Sequence, residues 1–435
     1  MTRLGTFVLG GLSLALLSGC KLAEIFNLSG PQSTHMTEGP VAKEQWSLFM
    51  VTVYVTTFIF VVVGAILAYA QIKFRAKPDG GKQAAPPEQG HGNPFIEMGL
   101  IVASVALLVI IAIPTLKDIW YTHDVPEAEK ANAMDVTATG YQWWFKFEYE
   151  NQPMKNADGT DGASLVCANE LVVPAGKPVR VHLRTVDVIH SFWIPKLAGK
   201  VDMIPNRANF VWFKADKPGY YYGQCAEYCG DSHAIMRFRV IALEPSAYET
   251  WLANQKQTAR VVATTAGASD GGPLHVEFAS MNNTGRGSTL AGTPEFDANP
   301  FAAWQGKQAV PTEENTALIA KGHLLFEEKT CYNCHTIRGH TAKDGNTPFG
   351  GMTAPNLTHV GARSSIAAGV LENSPERMGQ WLKDPEYFKP GNKMVHGIGG
   401  MAGYLKYDAN GNSSPNIVLN DQEIAALVAY LQSLK

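Results

Sequence analysis

The longest runs of apolar side chains lie in the first third of the chain. Residues 47–70 contain no charged side chain, and residues 95–116 contain a single one, Glu97. About 20 apolar residues in a helix are enough to span the hydrocarbon core of a bilayer. The pattern therefore predicts a two-helix transmembrane hairpin. The alternative is a buried helical hairpin of a soluble protein.

A short basic segment joins the two predicted spans and contains Lys73, Arg75, Lys77 and Lys82. Basic loops between spans stay on the cytoplasmic side of a membrane. Everything after residue 116 is therefore expected on the periplasmic or extracytoplasmic side.

The first twenty residues have the pattern of an export signal. Arg3 precedes an apolar segment at residues 7–17, and Ser18 and Gly19 precede Cys20. This end resembles the lipobox of bacterial lipoproteins, in which the cysteine is acylated. The alternative is an uncleaved signal with an incidental cysteine. We expect lipidation at Cys20 and insertion into the lipid bilayer of a bacterial cytoplasmic membrane.

Beyond residue 130 the pattern changes to short β-branched and aromatic runs with period two. Residues 171–173 and 179–183 flank a Pro-Ala-Gly turn and predict a β-hairpin. Residues 209–214 and 237–243 predict further strands. Several short strands within about 110 residues favour a β-sandwich.

The last third of the chain returns to helical spacing, as in residues 421–434. A segment rich in Gly, Ala, Thr, Ser and Asn precedes it and predicts a linker. The predicted organisation is a signal peptide at 1–19, an N-terminal segment and hairpin at 20–130, a sandwich at 131–245, a helical segment and flexible linker at 246–310, and an α-helical domain at 311–435.

Composition excludes several classes of protein. The net charge of the 435-residue chain is −3, and charged residues make up 17% of it, so no basic surface for nucleic acid is expected. Six cysteines are too few for a disulfide scaffold. The positions of these cysteines are more informative than their number.

Cys331, Cys334 and His335 form a C-x-x-C-H motif, which indicates covalent attachment of haem c. The two thiols form thioethers with the haem, and the histidine coordinates the iron. A redox dithiol or a partial zinc site is the alternative. The candidates for the second axial ligand are Met352, Met378, Met394 and Met401. Met394 is the expected ligand and Met401 its main alternative, because residues 389–394 resemble the ligand loop of class I cytochromes c.

A second cluster of metal-binding side chains lies within residues 225–236. Cys225 and Cys229 are separated by three residues, and His233 and Met236 follow them. Thiolate, imidazole and thioether ligands suit copper, and two bridging sulfurs can hold two copper ions. His190 is the expected remote ligand. A disulfide between the two cysteines or a zinc site is the alternative.

With these motifs the sequence resembles subunit II of haem-copper cytochrome c oxidases, fused to a cytochrome c domain as in the caa type. The resemblance implies a cupredoxin-like sandwich holding a dinuclear copper centre, CuA. Its bridging ligands would be Cys225 and Cys229, and its terminal ligands His190 and His233. Met236 would be a weak ligand of one copper, and the backbone carbonyl of Glu227 would serve the other.

Three further side chains obtain roles from the resemblance. Trp143 lies within an aromatic run at residues 140–145 and matches the tryptophan through which electrons enter CuA. The alternative is that this run packs in an aromatic core or forms a belt at the membrane interface. Glu97 matches a carboxylate at the mouth of a proton pathway, and otherwise is an interfacial residue. The Glu227 side chain would help to bind magnesium at the interface with the catalytic subunit.

The resemblance implies the electron-entry subunit of a respiratory terminal oxidase. Electrons would pass from a redox-protein donor through haem c and CuA to subunit I, which reduces oxygen to water with proton translocation, beside other oxidase subunits. This chain alone would reduce no oxygen. The alternatives are a CuA-containing nitric oxide reductase and a membrane-anchored copper carrier. Quinol oxidase relatives lack the copper ligands, so Cys225 and Cys229 exclude that branch.

Overall fold

A computed structural model describes residues 30–75, 90, 92–155, 161–262 and 294–435. The predicted signal peptide, Cys20 and most of the basic loop lie outside the described residues. Residues 263–293, within the predicted linker, lie outside them as well.

Two long apolar helices follow the N-terminal segment. Helix α1 covers Pro40–Lys73 and helix α2 covers Pro94–His123, and their most apolar windows are not buried within the chain. Both helices are long and apolar enough to cross a membrane. The side chain of Asn93 accepts hydrogen bonds from the first turn of α2, the turn that contains Glu97. The short helix α3 covers Glu127–Lys130.

The next region is a sandwich of two five-stranded sheets, which we call the sandwich domain (residues 134–243). Its sheets have the strand orders β3-β2-β1-β5-β8 and β4-β10-β9-β6-β7. The strands are β1 Met134–Tyr141, β2 Trp144–Lys155, β3 Asp161–Ala168, β4 Glu170–Pro174, β5 Val179–Thr185, β6 His190–Trp193, β7 Val201–Met203, β8 Asn209–Phe213, β9 Gly219–Cys225 and β10 Arg237–Leu243. The rings of Phe145, Phe147, Phe192 and Phe238 pack together between the sheets.

The predicted hairpin at residues 171–183 is wrong. Strand β4 pairs with β10, and β5 pairs with β1 and β8, so the two predicted partners lie in opposite sheets. The amides of Ala175 and Gly176 donate to Leu243 and Ala215 instead of bonding across the turn. The connection therefore crosses the sandwich, and it places apolar side chains of both strands in the same core.

Among the described residues between the sandwich domain and the last domain there are three helices. Helix α4 covers Pro245–Lys256, and α5 and α6 cover Pro294–Ala298 and Pro300–Lys307, inside the range predicted as a linker. The side chain of Asn299 accepts a hydrogen bond from the first turn of α6, and Trp304 is buried against the sandwich core. The chain thus returns to the sandwich before the last domain begins.

The C-terminal domain (residues 316–435) surrounds a second apolar core. Its helices are α7 Thr316–Glu328, α8 Pro375–Lys383, α9 Pro385–Phe388, α10 Lys393–His396 and α11 Asp421–Ser433; its strand pairs are β11 Thr336–Thr341 with β12 Pro348–Gly350, β13 Ser365–Ile366 with β14 Leu371–Glu372, and β15 Leu405–Tyr407 with β16 Ser413–Pro415. Helices α7 and α11 cross closely at Gly322, where a Cβ would lie 2.0 Å from the Ala426 carbonyl oxygen.

Candidate copper and haem centres

Five side chains predicted to bind copper meet at one end of the sandwich domain. His190 begins β6 and Cys225 ends β9, and the adjacent loop before β10 supplies Cys229, His233 and Met236. The sulfur atoms of Cys225 and Cys229 are 3.8 Å apart. Nδ1 of His190 lies 3.9 Å from the Cys225 sulfur, and Nδ1 of His233 lies 3.6 Å from the Cys229 sulfur. The Met236 sulfur lies 3.8 Å from Cys229.

These separations fit shared metal ions. Donor atoms that bind one first-row ion, with bonds of about 2.0–2.3 Å, lie somewhat less than 4 Å apart. Among the described residues, His190, Cys225 and Cys229 form the one group of three or more His, Cys, Asp or Glu side chains whose ligand atoms lie close enough to share a metal ion. The five cysteines in the described ranges are all free, so the two thiols here are available as ligands. The chemistry of the donor set fits copper.

The two thiols perturb one another. The hydrogen bond from Cys229 lowers the pKa of Cys225, and the same contact raises the pKa of Cys229. The thiolate is the metal-binding form, so a metal bound by both residues would displace the remaining proton.

Glu227 presents its backbone and its side chain in different directions. Its carbonyl oxygen lies 3.2 Å from the Cys225 sulfur, in line with the expected backbone ligand. Its carboxylate lies 3.5 Å from the Lys200 ammonium, and both side chains are partly exposed. The backbone therefore faces the copper-binding cluster, and the side chain faces the surface.

Asp187 supports the cluster from outside and was missed at the sequence level. Its carboxylate lies 2.8 Å from Nε2 of His190, and it accepts the backbone N–H of Gln142 at 2.7 Å. Burial alone would raise the pKa of Asp187, but the hydrogen bonds from His190 and the backbone lower it. The signal was its position three residues before His190. A carboxylate on the outer nitrogen orients a ligating imidazole.

Trp143 joins the cluster to the C-terminal domain. It is buried, and its indole N–H donates to the carbonyl of Cys229 at 2.9 Å. On its other side lies Gly391, where a Cβ would be 2.9 Å from Cη2 of the ring. Gly391 has φ +75°, so the backbone conformation and the close approach both favour glycine.

The C-x-x-C-H motif lies in a single turn after α7. The turn spans Cys331–Asn333 and begins after Thr330, which has φ 58°. Nδ1 of the half-buried His335 donates to the Pro355 carbonyl at 2.8 Å, so its Nε2 remains as the donor to a metal. Burial lowers the pKa of His335 and favours the neutral imidazole that binds iron.

The four candidate methionine ligands differ in their exposure and in their contacts with the C-terminal core. Met394 is half-buried in α10 and packs against the C-terminal core. Met352 is 85% exposed. Met378 is buried beneath α11, and its sulfur accepts a hydrogen bond from the Gln432 side chain. Met401 lies on the glycine-rich loop and is not among the residues packed on the core.

The loop that leads to Met394 (residues 389–394) packs against the predicted copper-binding loop (residues 226–236). The hydroxyl of Ser232 donates to the Pro390 carbonyl at 2.7 Å. The ammonium of Lys389 donates to the carbonyls of Ile235 and Ala367 at 3.4 and 3.2 Å. Burial, with Arg237 nearby, lowers the pKa of Lys389 to about 7. The sequence placed Lys389 in the ligand loop but carried no signal of this contact between domains.

Comparison with known proteins decides the family. The family described as cytochrome C oxidase subunit II, periplasmic domain, matches residues 134–243, and the cytochrome c family matches residues 319–435. The probable cytochrome c oxidase subunit 2 of Rickettsia felis is 30% identical over 230 residues, 51% of this chain and 70% of that protein. The chain belongs to the cytochrome c oxidase subunit II family.

Other relatives of subunit II extend the match. Cytochrome c oxidase subunit 2 of Alkalihalophilus pseudofirmus is 29% identical over 421 residues, 96% of this chain and 94% of that protein. The solved periplasmic domain of subunit II of cytochrome oxidase from Bradyrhizobium japonicum is 35% identical, covering 28% of this chain and 93% of that one, with a TM-score of 0.24.

Membership confirms the predicted fold class: two apolar helices, a cupredoxin-like sandwich and a cytochrome c domain. It also confirms that the chain is a subunit of an oxidoreductase complex whose partners include subunit I. The two domain families imply copper and haem c as cofactors, and the apolar helices imply a membrane anchor.

Proposed function

We propose that this subunit II receives electrons at its C-terminal domain and transfers them within one chain to its copper centre. Cys331 and Cys334 would hold haem c, with His335 and Met394 as axial ligands. His190, Cys225, Cys229, His233 and Met236 would hold CuA, together with the carbonyl of Glu227. Bound haem c and copper supply the one-electron chemistry that links a donor to the oxygen-reducing subunit I.

The observation that carries this proposal is the contact of Gly391 with Trp143. The indole N–H of Trp143 bonds to the Cys229 carbonyl, and Gly391 lies three residues before Met394. One buried ring therefore contacts the proposed haem-ligand loop on one side and a proposed copper ligand on the other.

The chain's own residues prepare both sites. Asp187 orients His190, and the Pro355 carbonyl orients His335. Soft sulfur ligands and burial suit a centre that cycles between oxidation states with little rearrangement. Because Trp143 is covered by the C-terminal domain, an external donor would dock on that domain.

The outer parts of the site also support proposals. The Glu227 carboxylate, beside Lys200, would contribute to a magnesium site whose remaining ligands come from subunit I.

Glu97 lies in the first turn of α2, beside the basic loop, and would admit protons from the cytoplasmic side. Both domains would then lie on the periplasmic side, as the basic loop indicates.

Trp143→Leu in the purified complex tests the route. We expect normal reduction of haem c by the donor, but a transfer rate to copper that falls roughly tenfold or more, because the contact is lost. The matched control is Trp144→Leu, since Trp144 stacks on Tyr141 and not on Gly391. Equal transfer rates in both variants would refute the route.

Cys225→Ser and Cys229→Ser test the ligands. Each should abolish the copper absorption and leave the haem c spectrum intact. Persistence of the copper spectrum in both variants would refute the ligand assignment. Gas-consumption assays of the complex distinguish an oxygen reductase from a nitric oxide reductase. Uptake of nitric oxide without uptake of oxygen would identify a nitric oxide reductase.

A further inference from the structure

A buried carboxylate that is not among the predicted ligands of either redox centre lies between the sandwich domain and the C-terminal domain. Glu170 begins β4 and is 6% exposed. Its Oε1 accepts the backbone N–H groups of Ser364 and Ser365 at 2.7 and 3.3 Å, as well as the hydroxyl of Ser364. Its Oε2 accepts the indole N–H of Trp304 at 3.2 Å.

The donors to Glu170 come from outside its own domain. Ser364 and Ser365 belong to the C-terminal domain, and Trp304 belongs to α6. Burying a carboxylate is costly unless hydrogen bonds compensate for the lost water. Three of these four hydrogen bonds, those from Ser364 and Ser365, exist only while the two domains are in contact, so the carboxylate stabilises the docked arrangement.

The hairpin at residues 365–372 extends this contact along the sandwich. The backbone N–H of Arg237 donates to the Ala368 carbonyl at 3.1 Å, and the guanidinium of Arg239 donates to the Gly369 carbonyl at 2.9 Å. Arg239 is 1% exposed and lies over the ring of Tyr222. The hairpin therefore accepts hydrogen bonds from two donors on β10, one backbone N–H and one guanidinium.

The segment after α4 is held by the C-terminal domain as well. The guanidinium of Arg338 donates to the carbonyls of Gln255 and Lys256, the last residues of α4. The N–H of Ala259 donates to the Arg338 carbonyl at 2.9 Å. These contacts limit the positions of the domain, and Glu170 adds a buried carboxylate to them.

We propose that Glu170 is a positioning residue that holds the C-terminal domain on the sandwich domain, so that Gly391 stays against Trp143. The domain is thus docked through a specific buried contact, instead of being merely tethered by its linker. This inference rests on the proposed intramolecular electron transfer for its functional consequence, but docking can be measured independently.

The test uses Glu170→Gln in the full-length chain within its complex. Hydrogen–deuterium exchange at the Arg237 amide reports undocking, because its acceptor belongs to the C-terminal domain. We expect that exchange to accelerate about tenfold to a hundredfold, the effect of losing hydrogen bonds to a buried charge. The haem-to-copper transfer rate should fall, while reduction of haem c by the donor stays unchanged. Glu148→Gln is the matched control, since Glu148 pairs with Lys146 within the sandwich domain.

Ser364→Ala provides the second variant, should Glu170→Gln fail to fold. It removes a donor from the opposite domain and leaves the sandwich sequence intact. Raised Arg237 exchange in this variant, with non-additive effects in the double variant, would support the contact. Unchanged exchange in both single variants would overturn the proposal. Raised exchange with an unchanged transfer rate would support the docking role and count against the Trp143 route.

Discussion

Gly391 and Trp143 are in direct contact across the two domains of this subunit II. A Cβ at Gly391 would lie 2.9 Å from the indole ring and 3.0 Å from the Asp231 carboxylate. The same ring touches Gly230, where a Cβ would lie 3.0 Å from Cζ2. Two glycines thus allow the ring to lie between the copper-binding loop and the loop that precedes Met394.

Gly391→Ala should disturb this contact. The added methyl group meets Trp143, and φ of +75° adds backbone strain of about 1–3 kcal/mol. We expect a slower haem-to-copper transfer rate and a lower thermal unfolding midpoint. Gly411→Ala is the control, because Gly411 has φ +82° but no neighbour within 4 Å. Similar transfer rates in the two variants would contradict the role of the contact.

Met394→Ala should remove the side chain that we propose as the second ligand of haem c. Loss of the thioether is expected to change the haem absorption spectrum and to lower the reduction potential, because methionine ligation raises the potential of a cytochrome c. Met401→Ala should leave both properties unchanged. Spectroscopy and potentiometry of the two variants decide the matter, and the reverse pattern would assign the ligand to Met401.

Asp187→Asn should weaken copper binding by about 10- to 100-fold, the usual effect of removing a carboxylate that orients a ligating histidine. Copper titration of the chain measures the affinity. The matched control is Asp135→Asn, because Asp135 pairs with His182 at 2.9 Å, away from the cluster. Unaltered copper affinity in Asp187→Asn would show that His190 needs no such partner.

His359 should make the domain contact sensitive to acid. Burial, together with the nearby Arg338, lowers the pKa of His359 to about 4, and the ring contacts the Gln257 carbonyl. The pKa of a histidine is about 6.5 in the unfolded chain, which is higher than in the folded state. The contribution of His359 to the free energy of unfolding is therefore fully present above pH 6.5 and is lost as the pH falls toward 4. The loss reaches at most about 3 kcal/mol.

The measurement for His359 is the thermal unfolding midpoint of the chain between pH 7 and pH 5. His359→Gln should flatten this dependence, because the amide does not titrate in that range. An equally steep decline in His359→Gln would assign the acid sensitivity to other groups.

The sequence by itself determined the parts of this protein that depend on neighbouring residues. The apolar spans, the C-x-x-C-H motif and the set from Cys225 to Met236 are local patterns, because a helix or a single loop brings their side chains together. The structure then places the Cys229 sulfur within contact distance of Cys225, His233 and Met236.

Only the tertiary structure decided the relationships between distant segments. The pairing of β4 with β10 instead of β5, the approach of His190 to Cys225, and the contacts of Trp143 with Gly391 and of Glu170 with Ser364 depend on long-range packing. No periodicity encodes such contacts, because they depend on which surfaces are buried together once each domain has formed. The sequence therefore predicted the ligands of two redox centres, and the fold determined how the domains that carry those ligands pack together.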